Sequence, residues 1–212
     1  MEASRVRNIC MYMLAALLAV VLACAFMVPN AAFAKTGASS QTQAKHTKTT
    51  KKKVNKKILV VYFSATGNTK RVAKIIANTT HGRLYRIKAR NKYTSSDIDY
   101  TRANCRAERE QSDSSARPAI KGKLTGLKKI KTVYLGFPIW YGDAPRVVST
   151  FLEKYSMRGK RVIPFCTSSS SGISRAAKRL KAVSKTGHWK KGKRFGEYAS
   201  KATVRRWVKK VS

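Results

Sequence analysis

The chain has 212 residues, 46 of them Lys or Arg and only 9 Asp or Glu, for a formal charge of +37. That length holds one ordinary domain plus extensions, not several domains. The charge suggests polyanionic partners, with nucleic acid the first to consider.

The first 34 residues are expected to be a targeting segment. Arg5 and Arg7 precede an apolar stretch from Ile9 to Val28. Pro29 ends the stretch, and Ala32-Phe33-Ala34 has the small-x-small form of a signal peptidase site, which predicts cleavage after Ala34. Two alternatives remain open at this point. The 20-residue run is long enough to stay in a bilayer uncleaved, and Cys24 is a site for lipidation. Each route puts the remainder outside the membrane, extracellular or at the cell surface. Export argues against nucleic acid. It favours anionic cell-wall polymers or lipid headgroups as the partners of so basic a chain, beside the plainer reading of a solvated basic surface.

Residues 35–57 hold eight lysines and no acidic residue, and Val54 is their only aliphatic side chain larger than Ala. Such a segment cannot bury a core and is expected to be a disordered, self-repelling linker. The folded domain is then 58–212. It carries 36 Lys plus Arg against 8 Asp plus Glu, a net of +28, so the charge belongs to the domain as well as to the tail.

Ile58 to Phe63 is an unbroken apolar run, predicting a buried strand. Ser64, Ala65, Thr66, Gly67, Asn68 and Thr69 follow, and a helical pattern with Val72, Ile75, Ile76 and Thr79 then begins. A polar loop opening a helix suits a phosphate, because the first helical N–H groups lack partners and the helix dipole is positive there. The loop has neither the lysine of a triphosphatase loop nor the three glycines of a dinucleotide fingerprint. It fits one terminal monophosphate.

Leu84 to Ile87 reads as a second strand. The polar stretch 89–123 holds a short helix near Arg106–Gln111 and is long enough to be a functional covering segment. Thr132 to Phe137 is a third strand, ended by Pro138, and Pro145 suits a helix start ahead of Val148, Phe151, Leu152 and Tyr155. Arg161 to Cys166 is a fourth strand, followed by the loop Thr167–Gly172 and a helix bearing Ile173, Ala176, Ala177 and Leu180. His188 to Phe195 is a weaker fifth strand. Val204, Trp207, Val208 and Val211 mark a last helix. Cys105 and Cys166, the two cysteines of the domain, are read as unrelated free thiols, with a disulfide as the alternative.

Alternating strands and helices predict an α/β fold with a parallel sheet covered on both faces. Right-handed crossovers bring the loops after successive strands to one edge, where ligands of such sheets bind. Ser64–Thr69, Pro138–Ala144 and Thr167–Gly172 would converge there. They contain no carboxylate pair, no Ser-His-Asp set and no cluster of metal ligands, which leaves hydrolysis without support and gives no metal site. Trp140 and Tyr141 come directly after a strand end, where flat rings can stack on a planar ligand; taken alone, Trp140 also reads as a core anchor. A planar ligand with a monophosphate tail is flavin mononucleotide, FMN.

YFSATGNT at 62–69 resembles the phosphate-binding loop of the flavodoxins. YTSSDIDY at 93–100, RAERE at 106–110, ARPAI at 116–120, LGFPIWYGDAP at 135–145 and GKRVIPFCTSSSSGIS at 159–174 occur in order, and together resemble the exported flavodoxin-like proteins of bacteria. The resemblance covers essentially all of 58–212. It implies a three-layer sandwich on a five-stranded parallel sheet of order 2-1-3-4-5, with non-covalent FMN. It implies that Ser64, Ala65, Thr66, Gly67, Asn68 and Thr69 hold the phosphate, and that Pro138, Ile139, Trp140, Tyr141 and Gly142 border the isoalloxazine. Thr167, Ser168, Ser169, Ser170 and Gly172 would form the far side, and the segment around Tyr93, Arg106 and Glu110 would support or cover the pocket. The chain departs from this group in having Ser169 and Ser170 where two glycines are common, Ile130-Lys131 where Tyr-Asp is common, and a strongly basic rather than acidic charge.

The function expected from these features is exported electron transfer through FMN, with a redox donor and acceptor that the residues do not specify. No residue is placed as an obligatory acid or base for a catalytic step. Two other readings stand beside it: a cationic surface-binding module on the same scaffold with weak or no flavin, and an FMN-dependent reductase of quinones or small acceptors.

Overall fold

A computed structural model describes residues 54–212. The expected signal peptide, the lipidation alternative at Cys24 and most of the lysine-rich linker lie outside the described residues. Strand β1 covers Asn55–Tyr62, so it starts three residues before Ile58. It is followed by α1 (Asn68–Thr80), β2 (Gly82–Arg86), β3 (Lys88–Ala89), α2 (Arg106–Ser112), β4 (Ile120–Lys121) and β5 (Thr132–Pro138). The second half contains α3 (Arg146–Lys154), β6 (Arg161–Thr167), α4 (Ser174–Ser184), β7 (His188–Trp189), β8 (Lys193–Phe195) and α5 (Lys201–Val211).

The main sheet is parallel throughout. β1 pairs with β2 and β5, β5 with β6, and β6 with both β7 and β8. The order is therefore β2-β1-β5-β6, with β7 and β8 completing the far edge. This is the expected 2-1-3-4-5 order, except that the fifth strand is split in two. The break falls at Lys190-Lys191-Gly192, a charged stretch with a glycine that interrupts the ladder. β3 and β4 form a separate antiparallel ribbon, which gives the polar stretch after β2 a frame that its composition did not announce.

Side-chain alternation assigns β1 to both layers. Leu59, Val61 and Phe63 face a core completed by Val147, Val148 and Phe151 of α3 and by Ala176 and Leu180 of α4. Val60 and Tyr62 face the opposite core, with Val72 and Ile76 of α1 and Val204 and Val208 of α5. Both faces being covered explains why β1 reads as a continuous apolar run rather than an alternating one. Each fully buried Val, Ile or Leu contributes about 1.5–3 kcal/mol. In the middle of the sheet Gly136 makes room for the Phe165 ring, since a Cβ there would lie 2.2 Å from Phe165 Cζ.

Cys105 and Cys166 are both buried free thiols. Among the described residues, no helix is long and apolar enough to cross a membrane.

Candidate functional site

The loops after β1, β5 and β6 meet at the carboxyl edge of the sheet around a cavity of about 500 Å³. Thr66 and Asn68 line it from the first loop, and Pro138, Ile139, Trp140, Tyr141 and Gly142 from the second. Thr167, Ser168, Ser169, Ser170 and Ser171 line it from the third. Ser64, Ala65, Gly67, Thr69 and Gly172 do not line this cavity.

Those first-loop residues shape the site from behind. Gly67 has φ +108°, a left-handed conformation that opens the turn into α1, and its N–H donates to the buried Ser64 Oγ at 3.1 Å. The first intrahelical bond runs from Arg71 N–H to Gly67 C=O. The N–H groups of Asn68, Thr69 and Lys70 therefore precede the ladder and have no intrahelical acceptor. A Cβ built on Gly67 would meet nothing within 4 Å, so the space over the loop is open. Thr69 is buried, and its Oγ1 lies 2.7 Å from Thr167 Oγ1, which ties the first loop to the third.

The second loop is a tight turn. Trp140 and Asp143 exchange backbone hydrogen bonds of 2.8 and 3.0 Å, and the two central residues, Tyr141 (φ +47°) and Gly142 (φ +76°), are both left-handed. That is the backbone of a type I′ turn. A tyrosine in that conformation costs about 1 kcal/mol, which the surroundings must offset. The turn is pinned by Asp143, which accepts from Ala144 N–H at 2.7 Å and from Arg179 Nε at 2.5 Å. Arg179 also donates to Ser149 Oγ and Ala144 C=O, each at 2.8 Å. Ile139 N–H donates to Thr167 C=O at 3.1 Å, joining this loop to the third.

Trp140 lies among the residues brought together here, but its ring is a core anchor. It is only 5% exposed and packs edge-on against Phe63 and Tyr93 at 5.4 and 5.0 Å. The exposed aromatic surface is a pair: Tyr141 at 37% and Tyr100 at 57% exposure, with ring centres 4.8 Å apart. Tyr100 and Ile98 line the cavity from the polar segment after β3. Burial raises the Tyr100 phenol above its ordinary pKa. The hydrogen bond with Cys105 Sγ, 3.3 Å away, raises that of Tyr141. Both rings are neutral at physiological pH. Tyr100 was within reach of sequence reasoning as the last residue of YTSSDIDY.

Tyr93, Arg106 and Glu110 stand behind the pocket rather than over it. Tyr93 OH donates to Glu110 Oε2 at 2.5 Å, Arg106 Nε to Glu110 Oε1 at 2.6 Å, and the Arg106 guanidinium covers the Tyr93 ring at 4.0 Å. Burial, then the bond to Glu110, pushes the Tyr93 phenol well above its ordinary value. Gln111 Nε2 donates to Trp140 C=O at 2.9 Å, so α2 holds the second loop in place.

Two further elements had no signal in the sequence. Arg194 Nη1 donates to the carbonyls of Ser168 (3.1 Å) and Ser169 (2.9 Å), fixing the third loop from β8. Among the described residues, Glu197 is the one charged side chain lining the cavity. Arg71 holds its segment through the carbonyls of Glu197 and Ala199. A bound phosphate would thus be met by neutral donors, backbone N–H groups and hydroxyls, with the basic domain supplying a diffuse field.

The family model for flavodoxin matches residues 57–211. A candidate flavoprotein of Bacteroides uniformis has a similar structure, with a TM-score of 0.69 at 46% identity over 72% of this chain and 97% of its own. A second, from Bacteroides eggerthii, gives 0.68 at 39% identity over 73% and 97%. A Lactobacillus acidophilus flavoprotein whose structure is a complex with FMN shares the fold at a TM-score of 0.54 and 19% identity, over 72% of this chain and 99% of its own. No curated protein matches the chain. The match over nearly the whole described region, together with these relatives, shows that the chain belongs to the flavodoxin family.

Proposed function

We propose that the protein binds FMN non-covalently in the cavity between its three loops and serves as an electron-transfer protein outside the cytoplasmic membrane. The observation that carries this reading is that one cavity is lined both by Thr66 and Asn68, where α1 opens, and by the exposed Tyr100–Tyr141 pair. Its volume lies in the range of small-molecule and cofactor sites, about 300–1,000 Å³. The residues fit the group. Thr66, Asn68 and the N–H groups of Asn68 and Thr69 would hold the phosphate. Tyr141 and Tyr100 offer the face for the ring, and Thr167 through Ser170 offer hydroxyls and backbone along the opposite wall. When bound, FMN supplies one- and two-electron redox chemistry; the protein supplies position and field.

Among the described residues, the lining side chains are hydroxyls, one amide, aromatic and aliphatic groups and a single exposed carboxylate. That set favours electron transfer over a dedicated acid–base reaction. Reduction of quinones or small acceptors is the finer alternative, read from turnover with such acceptors.

A binding role at anionic polymers or lipid surfaces is the second reading. Only three ion pairs form among the described residues, through Arg106, Arg117 and Arg179, so most of the domain's cations face solvent without a carboxylate. The N-terminal segment, with its Arg-flanked apolar run and Ala32-Phe33-Ala34, supports export. The deciding experiment is an FMN titration of the purified protein followed by anaerobic reduction. Stoichiometric binding with reversible bleaching supports the first reading. A colourless protein that FMN does not reconstitute leaves the second.

A further inference from the structure

A second cavity, of about 290 Å³, lies against the other side of the first loop. Its floor is Phe63, Ile87, Ala89 and Tyr93, all buried. Its rim holds four cations, Arg86, Lys88, Lys92 and Lys121, and among the described residues no carboxylate lines it. None of the four forms an ion pair with a described acidic residue.

Their placement is costly without an anion. Lys88 and Lys121 are direct partners across the β3–β4 ladder. Directly opposed residues have Cβ atoms about 4.5–5.5 Å apart, and like charges there destabilise the pair. Arg86 ends β2, at the same carboxyl edge as the first loop, and its Nη2 donates to Ser64 C=O at 3.2 Å. That bond orients the guanidinium and leaves its other donors to meet a ligand. Lys92 closes the rim from the segment leading into Tyr93.

We propose that this cavity is a binding site for a small diphosphate-bearing molecule, separate from the cavity that Thr66, Asn68 and Tyr141 line. Four cations match a multiply charged anion, and the volume exceeds what one phosphate group would fill. A planar arginine fork beside three lysine point charges is suited to phosphoryl oxygens. The apolar floor accepts the uncharged part of the molecule. The site stands on its own geometry and does not require flavin in the first cavity.

Inorganic pyrophosphate is the probe, followed by amide chemical shifts and by calorimetry. Because the whole domain is basic, the decisive comparison is between two variants of equal charge. Lys88→Gln/Lys121→Gln removes two rim cations, whereas Lys181→Gln/Lys185→Gln removes two from a remote helix end. The first is expected to weaken pyrophosphate about tenfold or more, and the second no more than about twofold, the difference between a close contact and a screened field. Shifts should centre on residues 86–92 and 119–122. If the ribbon variant loses its fold by circular dichroism, Lys92→Gln alone makes the same test from outside the ladder. Equal losses in the two double variants would overturn the site, because binding would then be diffuse. Shifts confined to 66–69, 138–142 and 167–171 and abolished by Thr66→Val would also overturn it, because the anion would sit in the first cavity.

Discussion

Thr69 Oγ1 and Thr167 Oγ1 are 2.7 Å apart in the interior, joining two loops that are 98 residues apart in the chain. The contact fixes the distance between the start of α1 and the end of β6, the two walls of the principal cavity. Thr69→Val keeps the shape but leaves the Thr167 hydroxyl unpaired, at an expected cost of about 1–3 kcal/mol. Thr69→Ser should retain most of the stability. Urea denaturation of the three proteins checks this; a valine variant as stable as the parent would remove the cross-link from the account.

Thr66 is exposed and lines the cavity beside the unpaired N–H groups of α1. A hydroxyl donated to a phosphate is a charge-assisted bond, so Thr66→Val should weaken FMN by about 1.5–3 kcal/mol. Riboflavin, which has no phosphate, should be affected little. Parallel fluorescence titrations with both ligands decide it, and equal weakening would place Thr66 elsewhere than at the phosphate.

Trp140 and Tyr141 are adjacent in sequence but should respond oppositely. Tyr100→Ala and Tyr141→Ala remove exposed rings, and each should reduce flavin affinity by about 0.5–1.5 kcal/mol, the worth of an aromatic pair, while leaving the fold intact. Trp140→Ala opens a hole between Phe63 and Tyr93 and should cost about 3–5 kcal/mol of stability. Thermal melts alongside FMN titrations separate the two effects.

Burial pushes the Cys166 thiol up to about 12, against a smaller lowering from Arg194. The folded state thus holds the proton that an unfolded thiol gives up near pH 8.5. Between those values the unfolded chain binds fewer protons, so the contribution of Cys166 to stability is complete below about pH 8.5 and is lost as pH rises toward 12. Cys166→Ala should show a shallower alkaline decline than the parent. Iodoacetamide at pH 8 should leave Cys166 unmodified in the native protein and label it in urea, as read by peptide mass.

The domain's net charge of +28 predicts that a reduced, anionic flavin is favoured. The midpoint potential should be less negative than in acidic members of the family and should fall as salt is added, since screening acts over about 8 Å at physiological ionic strength. Potentiometric titration at low and high salt tests this, and a salt-independent value would exclude the field as the cause.

Most of the sheet was legible from the chain because both of its faces are buried. Ile58–Phe63, Thr132–Phe137 and Arg161–Cys166 read as apolar runs of strand length, and the helices between them had stripes at a spacing of three and four. The loops carrying Thr66, Tyr141 and Thr167 followed from that order, since parallel strands deliver their carboxyl ends to one edge. Long-range pairing could not be read this way. The β3–β4 ribbon joins Lys88 to Lys121 across a polar segment with no period to betray it. The split of the last strand, the grip of Arg194 on Ser168 and Ser169, and the entry of Glu197 into the cavity depend on where the chain returns in space. Local sequence determined the elements, their order and the polar loop that opens α1. Only the tertiary structure decided that the Trp140 ring is buried at the cavity wall while Tyr141 and Tyr100 stay exposed there, because burial depends on neighbours such as Phe63 and Tyr93 that come from other strands and loops.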